Sequence, residues 1–176
     1  MDNAPTLSAD ANPGGDTAAR IAAFLDAHHV MSLATCAAHG PHAANVLYAR
    51  NGFALLWVSA PQTRHSAEIE ANPHVAATVA PDCPNFGEIC GVQISGNAHR
   101  IVGISERRLA RALLEMRYPS LKRLSETLSI KRAYESAELY RLVPRRIVII
   151  DNKRGFGHKD TLDFEAFEPG RCGPDE

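Results

Sequence analysis

The chain has 176 residues, with 19 Lys and Arg against 20 Asp and Glu and a formal net charge of -1. That length suits one domain with a substantial core, and the balanced charge argues against a nucleic-acid surface, whose footprint is a basic excess. No apolar run approaches the roughly 20 residues that span a bilayer. The first residues, MDNAPTLSADANPGGD, lack the basic start and apolar core of a signal peptide, so a cytoplasmic protein is expected. Four cysteines (Cys36, Cys83, Cys90 and Cys172) form no C-x-x-C pair and read as reduced thiols, although a Pro/Gly loop could bring Cys83 near Cys90. The eight histidines show no zinc spacing, and no metal is expected.

Residues 1–15 read as a disordered tail, 16–160 as the folded domain and 161–176 as a second tail. A helix is predicted from Thr17 to His28, with Ile21, Phe24, Leu25 and His28 on one stripe and Asp16 or Thr17 as cap. Val30 to Thr35 reads as a first strand and His39-Gly40-Pro41 as a turn. A second strand runs from His42 to Arg50, Asn51-Gly52 signals a hairpin, and Phe53 to Ser59 forms the third. Pro73 ends a short helix begun near Thr63, and Val75 to Val79 returns as a strand.

The loop PDCPNFGE precedes a long strand predicted from Gly91 to Ile104, in which Gly96 marks a bulge. Ser105 caps a helix to Tyr118, with Leu109, Ala112, Leu113 and Met116 on its expected buried stripe. A second short helix after Pro119 carries Leu121, Leu124 and Leu128 on one side. The basic residues between Arg107 and Arg132 sit opposite these stripes, as a solvated face. Two strands, Ala137 to Val143 and Arg145 to Asp151, are expected to be broken by Pro144, and the apolar Ile147 to Ile150 places the second centrally in a sheet. The tail carries Phe156, Phe164 and Phe167. The pattern predicts a mainly β (α+β) fold, a six- to seven-stranded antiparallel barrel with attached helices. No G-x-G-x-x-G opens a helix after a strand, so a Rossmann site is not expected.

The informative stretch is LLWVSAPQTRHSAEIEANPHVAATV, from Leu55 to Val79. It places Ser59, Thr63, Arg64, His65 and Ser66 in a loop and first helical turn. Hydroxyls and cations gather there beside amides with no helical acceptor, an arrangement that favours an oxyanion. Arg64 adds a planar fork of donors that fits phosphate. The alternative is an ordinary helix start, with Thr63 as cap and Arg64 paired to Glu68 one turn on.

The order of motifs is P-x-x-x-N-V-x-Y, then G-x-x-L-x-W-V-S, then T-R-H before a helix closed by A-N-P, then G-V-Q-I-S-G. It resembles the pyridoxamine 5′-phosphate oxidase-like family of split β-barrel flavoproteins over about residues 20–155, most strongly from Pro41 to Gly96. The resemblance implies FMN bound at a homodimer interface. By resemblance, Asn45 and Val46 approach the isoalloxazine edge, and Val58 and Ser59 the ribityl chain and phosphate. Thr63, Arg64 and His65 match the phosphate segment, and Gln93 a strand residue that reaches the flavin.

This chain has Ala44 and Ala49 where the oxidases carry an arginine and a lysine, and His65 where a lysine is usual. The DNKRGFGHKD segment has no counterpart to their Trp- and Arg-containing substrate segment. A small-molecule substrate or electron donor other than pyridoxamine phosphate is therefore expected, with the Ser105 to Lys131 insertion shaping its pocket. The function implied is an FMN-dependent oxidoreductase; a non-catalytic flavin, haem or deazaflavin binding or storage protein is the alternative. No catalytic acid or base is demanded by the sequence. His42, Tyr48 and His158 are candidate proton donors, Cys36 reads as a buried thiol, and Phe156 either stacks on the flavin or plugs the barrel rim.

Overall fold

A computed structural model describes residues 15–123, 134 and 136–164. Helix α1 (Gly15–Ala27) is followed by strands β1 (Val30–Ala37), β2 (Gly40–Leu47), β3 (Ala49–Asn51) and β4 (Ala54–Ser59). Helix α2 (Arg64–Ala71) leads to β5 (His74–Val79) and the long β6 (Cys90–Arg100). Helices α3 (Ile104–Arg117) and α4 (Ser120–Arg123) precede β7 (Glu138–Asp151) and β8 (Lys159–Asp163). All pairings are antiparallel, in the order β2-β1-β5-β6-β7-β4-β3. β8 lies beside the second half of β7, on the edge whose first half pairs with β4. The α+β split barrel expected from the sequence is thus present, with eight strands among the described residues.

The differences from the sequence reading have local causes. The predicted second strand divides at Tyr48, which is fully buried and donates its hydroxyl to the Leu25 carbonyl at 2.8 Å. The hairpin turn is Gly52-Phe53, one residue later than expected, because Asn51 still pairs with Ala54 and Gly52 takes the left-handed φ of 60°. Pro144 does not break β7: the register against β6 shifts between Ser95 and Gly96, so that Gly96 faces Pro144 and Arg145 is the extra residue. A proline at a bulge removes no ladder hydrogen bond.

β6 ends at Arg100 rather than Ile104, and Gly103, not Ser105, stands at the N-cap of α3. Helix α3 buries Ala110 and Leu114, while Leu109 and Met116 of the expected stripe are 48% and 72% exposed. Leu121 packs beneath α3, and Leu124, Leu128 and Phe167 fall outside the described residues. The sheet continues past residue 160 to Asp163, and Phe164 packs on Phe53 with ring centres 5.3 Å apart.

Two apolar clusters result. The larger fills the barrel with Leu33, Leu55, Trp57, Ile94, Tyr140 and Ile147, closed at one end by Ile21 and Leu25 of α1. The smaller, Ala49, Leu56, Ile101, Ala110, Leu114 and Leu139, seats α3 on the outside of β3, β4 and β7. Arg117 links the two helices: its Nη2 donates to the carbonyls of Leu25, Asp26 and His28 at the C-terminal end of α1. A cation there also complements the negative end of the helix dipole. Asp160 on β8 and Asp151 on β7 hold Arg20 of α1 at 2.6 and 3.1 Å.

Candidate functional site

The end of β4 and the first turn of α2 bring the predicted hydroxyl and basic residues together. Ser59 Oγ lies 2.7 Å from His65 Nε2 and 3.2 Å from Thr63 Oγ1. Thr63 Oγ1 is also 3.2 Å from His65 Nε2 and 2.8 Å from Ser66 Oγ. Thr63 occupies the N-cap position but takes no helix amide with its hydroxyl, unlike the ordinary cap. The Ala67 amide donates to the Thr63 carbonyl, leaving the amides of the three preceding residues without a helical acceptor. Ser59, His65 and Ser66 are buried, and Thr63 is half-buried. Burial, the largest cause, pushes the His65 imidazole below its ordinary value against an opposing pull from Glu68. At neutral pH the cluster therefore offers hydroxyls and a neutral imidazole rather than a second cation.

Arg64 is exposed on the same helical turn, and its guanidinium is directed to Glu68 and the β1–β2 turn. Its Nε donates to Glu68 Oε1 at 2.7 Å, so the i,i+4 pair foreseen as the alternative to a phosphate site is formed. Nη2 makes long contacts of 3.5 and 3.3 Å to the His39 and Gly40 carbonyls of the β1–β2 turn, and Nη1 has no partner among the described residues. Glu68 is itself buried and accepts the Thr35 hydroxyl at 2.5 Å. Thr35 and Arg64 hold its carboxyl below the usual range. The i,i+4 spacing makes Glu68 visible in the sequence. Thr35, 33 residues away on β1, has no such signal.

The other predicted residues do not join this cluster within one chain. Asn45 and Gln93 are exposed on the outer face of the sheet, Asn45 accepting the Ser32 hydroxyl at 2.7 Å. They share one row, Asn45–Ser32–Thr78–Gln93, and are three strand spacings or roughly 14 Å apart. Val46 and Val58 point the other way from Asn45 and Ser59 and pack against the larger and smaller cores. Cys36 is an exposed residue of that outer face, not the buried thiol expected, and Cys36, Cys83 and Cys90 are free thiols. Tyr48 is committed to its carbonyl partner, with burial pushing its phenol far above the ordinary value, and His158 is paired with Asp160 at 3.0 Å. Phe156 is 88% exposed and plugs no barrel rim.

A model of the pyridoxamine 5′-phosphate oxidase family matches residues 17–141. The chain belongs to this family. A UPF0306 protein of Yersinia pseudotuberculosis is 30% identical over 148 residues, covering 83% of this chain and 91% of that one. Among solved structures, a heme-binding protein from Mycobacterium smegmatis superposes with a TM-score of 0.64 at 21% identity, covering 87% of this chain and 59% of that one. A FAD-binding protein from Mesorhizobium loti gives 0.57 at 18% identity, covering 74% and 89%. These two share the fold with this chain. No described helix is long and apolar enough to cross a membrane.

Proposed function

We propose that this protein binds FMN as a homodimer and acts as an oxidoreductase on a small molecule other than pyridoxamine phosphate. The observation that carries the reading is the convergence of Ser59, Thr63 and His65 within 3.2 Å of one another at the first turn of α2, with Arg64 beside them. Hydroxyls, free amides and a guanidinium are the donor set a phosphate takes. Membership of the family supports a flavin as its bearer.

The dimer is supported by the sheet's outer face. Leu47, Val30, Ala34, Ala43 and Ala76 are exposed there around the row that ends in Asn45 and Gln93. Small, uncharged side chains on β1 and β2, with Val30 and Leu47 exposed among them, suit this part of the face to burial against a partner. Stacking two copies on it covers Asn45 and Gln93, the two predicted ring contacts that one chain leaves in water. A bound flavin supplies the redox chemistry, and the protein supplies binding, orientation and nearby charge.

The test is the visible spectrum of the purified protein after incubation with FMN and removal of the excess. Retained flavin bands near one equivalent per subunit support the reading, and a Soret band instead turns it to haem. Arg64→Ala should weaken FMN tenfold or more, since a charge-assisted contact contributes about 1.5–3 kcal/mol. Undiminished affinity would remove Arg64 from the site.

A further inference from the structure

The anion site contains its own anion. Glu68 is buried beside Arg64, its Oε1 on Arg64 Nε at 2.7 Å and its Oε2 on the Thr35 hydroxyl at 2.5 Å. The hydroxyl fixes the carboxylate from β1, so it cannot swing away from the guanidinium without losing a buried hydrogen bond. His65, the other basic residue of the segment, is buried among hydroxyls and its Nε2 is engaged by Ser59 at 2.7 Å. The two charges paired at the site, one guanidinium and one carboxylate, therefore sum to about zero. A phosphate monoester, by contrast, carries close to two negative charges at neutral pH.

We infer that Glu68 sets the affinity of this site by neutralising Arg64, so that the phosphate group adds little to flavin binding. The inference rests on the flavin reading above and concerns only how the phosphate is held. Removing Arg64 leaves an uncompensated carboxylate facing the phosphate, and like charges close together repel strongly away from bulk water. Removing the charge of Glu68 frees Arg64 to act on the phosphate alone. The two changes should therefore act in opposite directions and nearly cancel in combination.

The experiment measures dissociation constants of FMN and riboflavin for the full-length protein and for E68Q, R64A and the R64A/E68Q double variant. Riboflavin has the ring and ribityl chain without the phosphate, so it reports the fold of each variant and the ring site alone. The expected result is that FMN and riboflavin bind the unmodified protein within about tenfold of each other. E68Q should tighten FMN tenfold or more, R64A weaken it by a similar factor and the double variant return near the starting value, with riboflavin unmoved throughout. FMN bound a thousandfold more tightly than riboflavin by the unmodified protein overturns the inference without any variant. So does an E68Q affinity for FMN that is unchanged or weaker while riboflavin still binds. Failure of both ligands to bind the unmodified protein overturns the flavin reading, and the inference with it.

Discussion

Gly96→Ala tests whether the bulge between β6 and β7 governs the barrel. A Cβ at position 96 would lie 2.2 Å from the Val143 carbonyl oxygen, 2.9 Å from Pro144 Cα and 3.0 Å from the Val143 carbonyl carbon. Ordinary contact begins at 3.4 Å, so the strands must part by about 1 Å, and every obstructing atom is backbone. No side chain can rotate out of the way. β7 pairs on its other edge with β4 and β8, so the displacement cannot stay local. Overpacking in a tight core costs about 1–3 kcal/mol, and the upper end applies where only backbone can yield. For a chain of this size that lowers Tm by roughly 6–12 °C.

The assay is urea denaturation at one fixed protein concentration, followed by the fluorescence of Trp57. It is the chain's single tryptophan and is fully buried against Tyr140, with ring centres 5.6 Å apart. A fixed concentration matters because association of folded chains shifts the apparent midpoint. A Gly96→Ala protein within about 0.5 kcal/mol of the parent would refute the close approach and the register built on it.

Other outcomes follow from individual contacts. Tyr48→Phe removes one donor from the Leu25 carbonyl, which keeps Arg117 at 3.1 Å, so the loss should be near 1 kcal/mol in the same denaturation assay. The lowered folded-state value of His65 means that its contribution to stability is complete above the ordinary histidine value of 6.5 and is lost as pH falls through the folded value. Urea midpoints should therefore decline below about pH 6.5, and His65→Gln should flatten that part of the profile; an unaltered slope would detach His65 from it. Leu47→Asp places a charge on the outer face at a residue 51% exposed in one chain, and light scattering should show dimers becoming monomers. Identical masses for the two proteins would exclude this face as the interface.

What the sequence revealed depended on whether a local pattern had one solution. The register shift at Gly96 and the central position of Ile147 to Ile150 were legible because a glycine in an alternating strand and an unbroken apolar run each admit few alternatives, although the extra residue, Arg145, falls on β7 and β6 keeps its alternation through Gly96. The buried face of α3 was not. Leu109, Ala110, Ala112, Leu113, Leu114 and Met116 put apolar groups around most of the helix, and the choice fell to the surface offered by Leu56, Ile101 and Leu139. β8 was invisible for a related reason: KDTLD has one apolar side chain, Leu162, and becomes a strand by pairing with β7 and joining Asp163 to Arg146 at 2.6 Å. At the site, residues within one turn were readable from spacing. The Thr35 contact that fixes Glu68 arises only when β1 and α2 pack.

Helices α3 and α4 leave the sheet and return to it at nearly the same point. Arg100 pairs with Tyr140, and the Ile101 amide donates to the Leu139 carbonyl at 2.7 Å. Arg107 then ties the departing and returning strands together, with Nη1 on the Ile101 carbonyl at 3.0 Å and on Glu138 at 2.5 Å. The barrel's register is thus closed beneath this excursion and does not depend on its length. Closing a longer loop costs only a slowly growing entropy. A change of length between Tyr118 and Glu138 therefore leaves the strands in place, whereas α3 is fixed to the frame by Arg107, Ala110, Leu114 and Arg117.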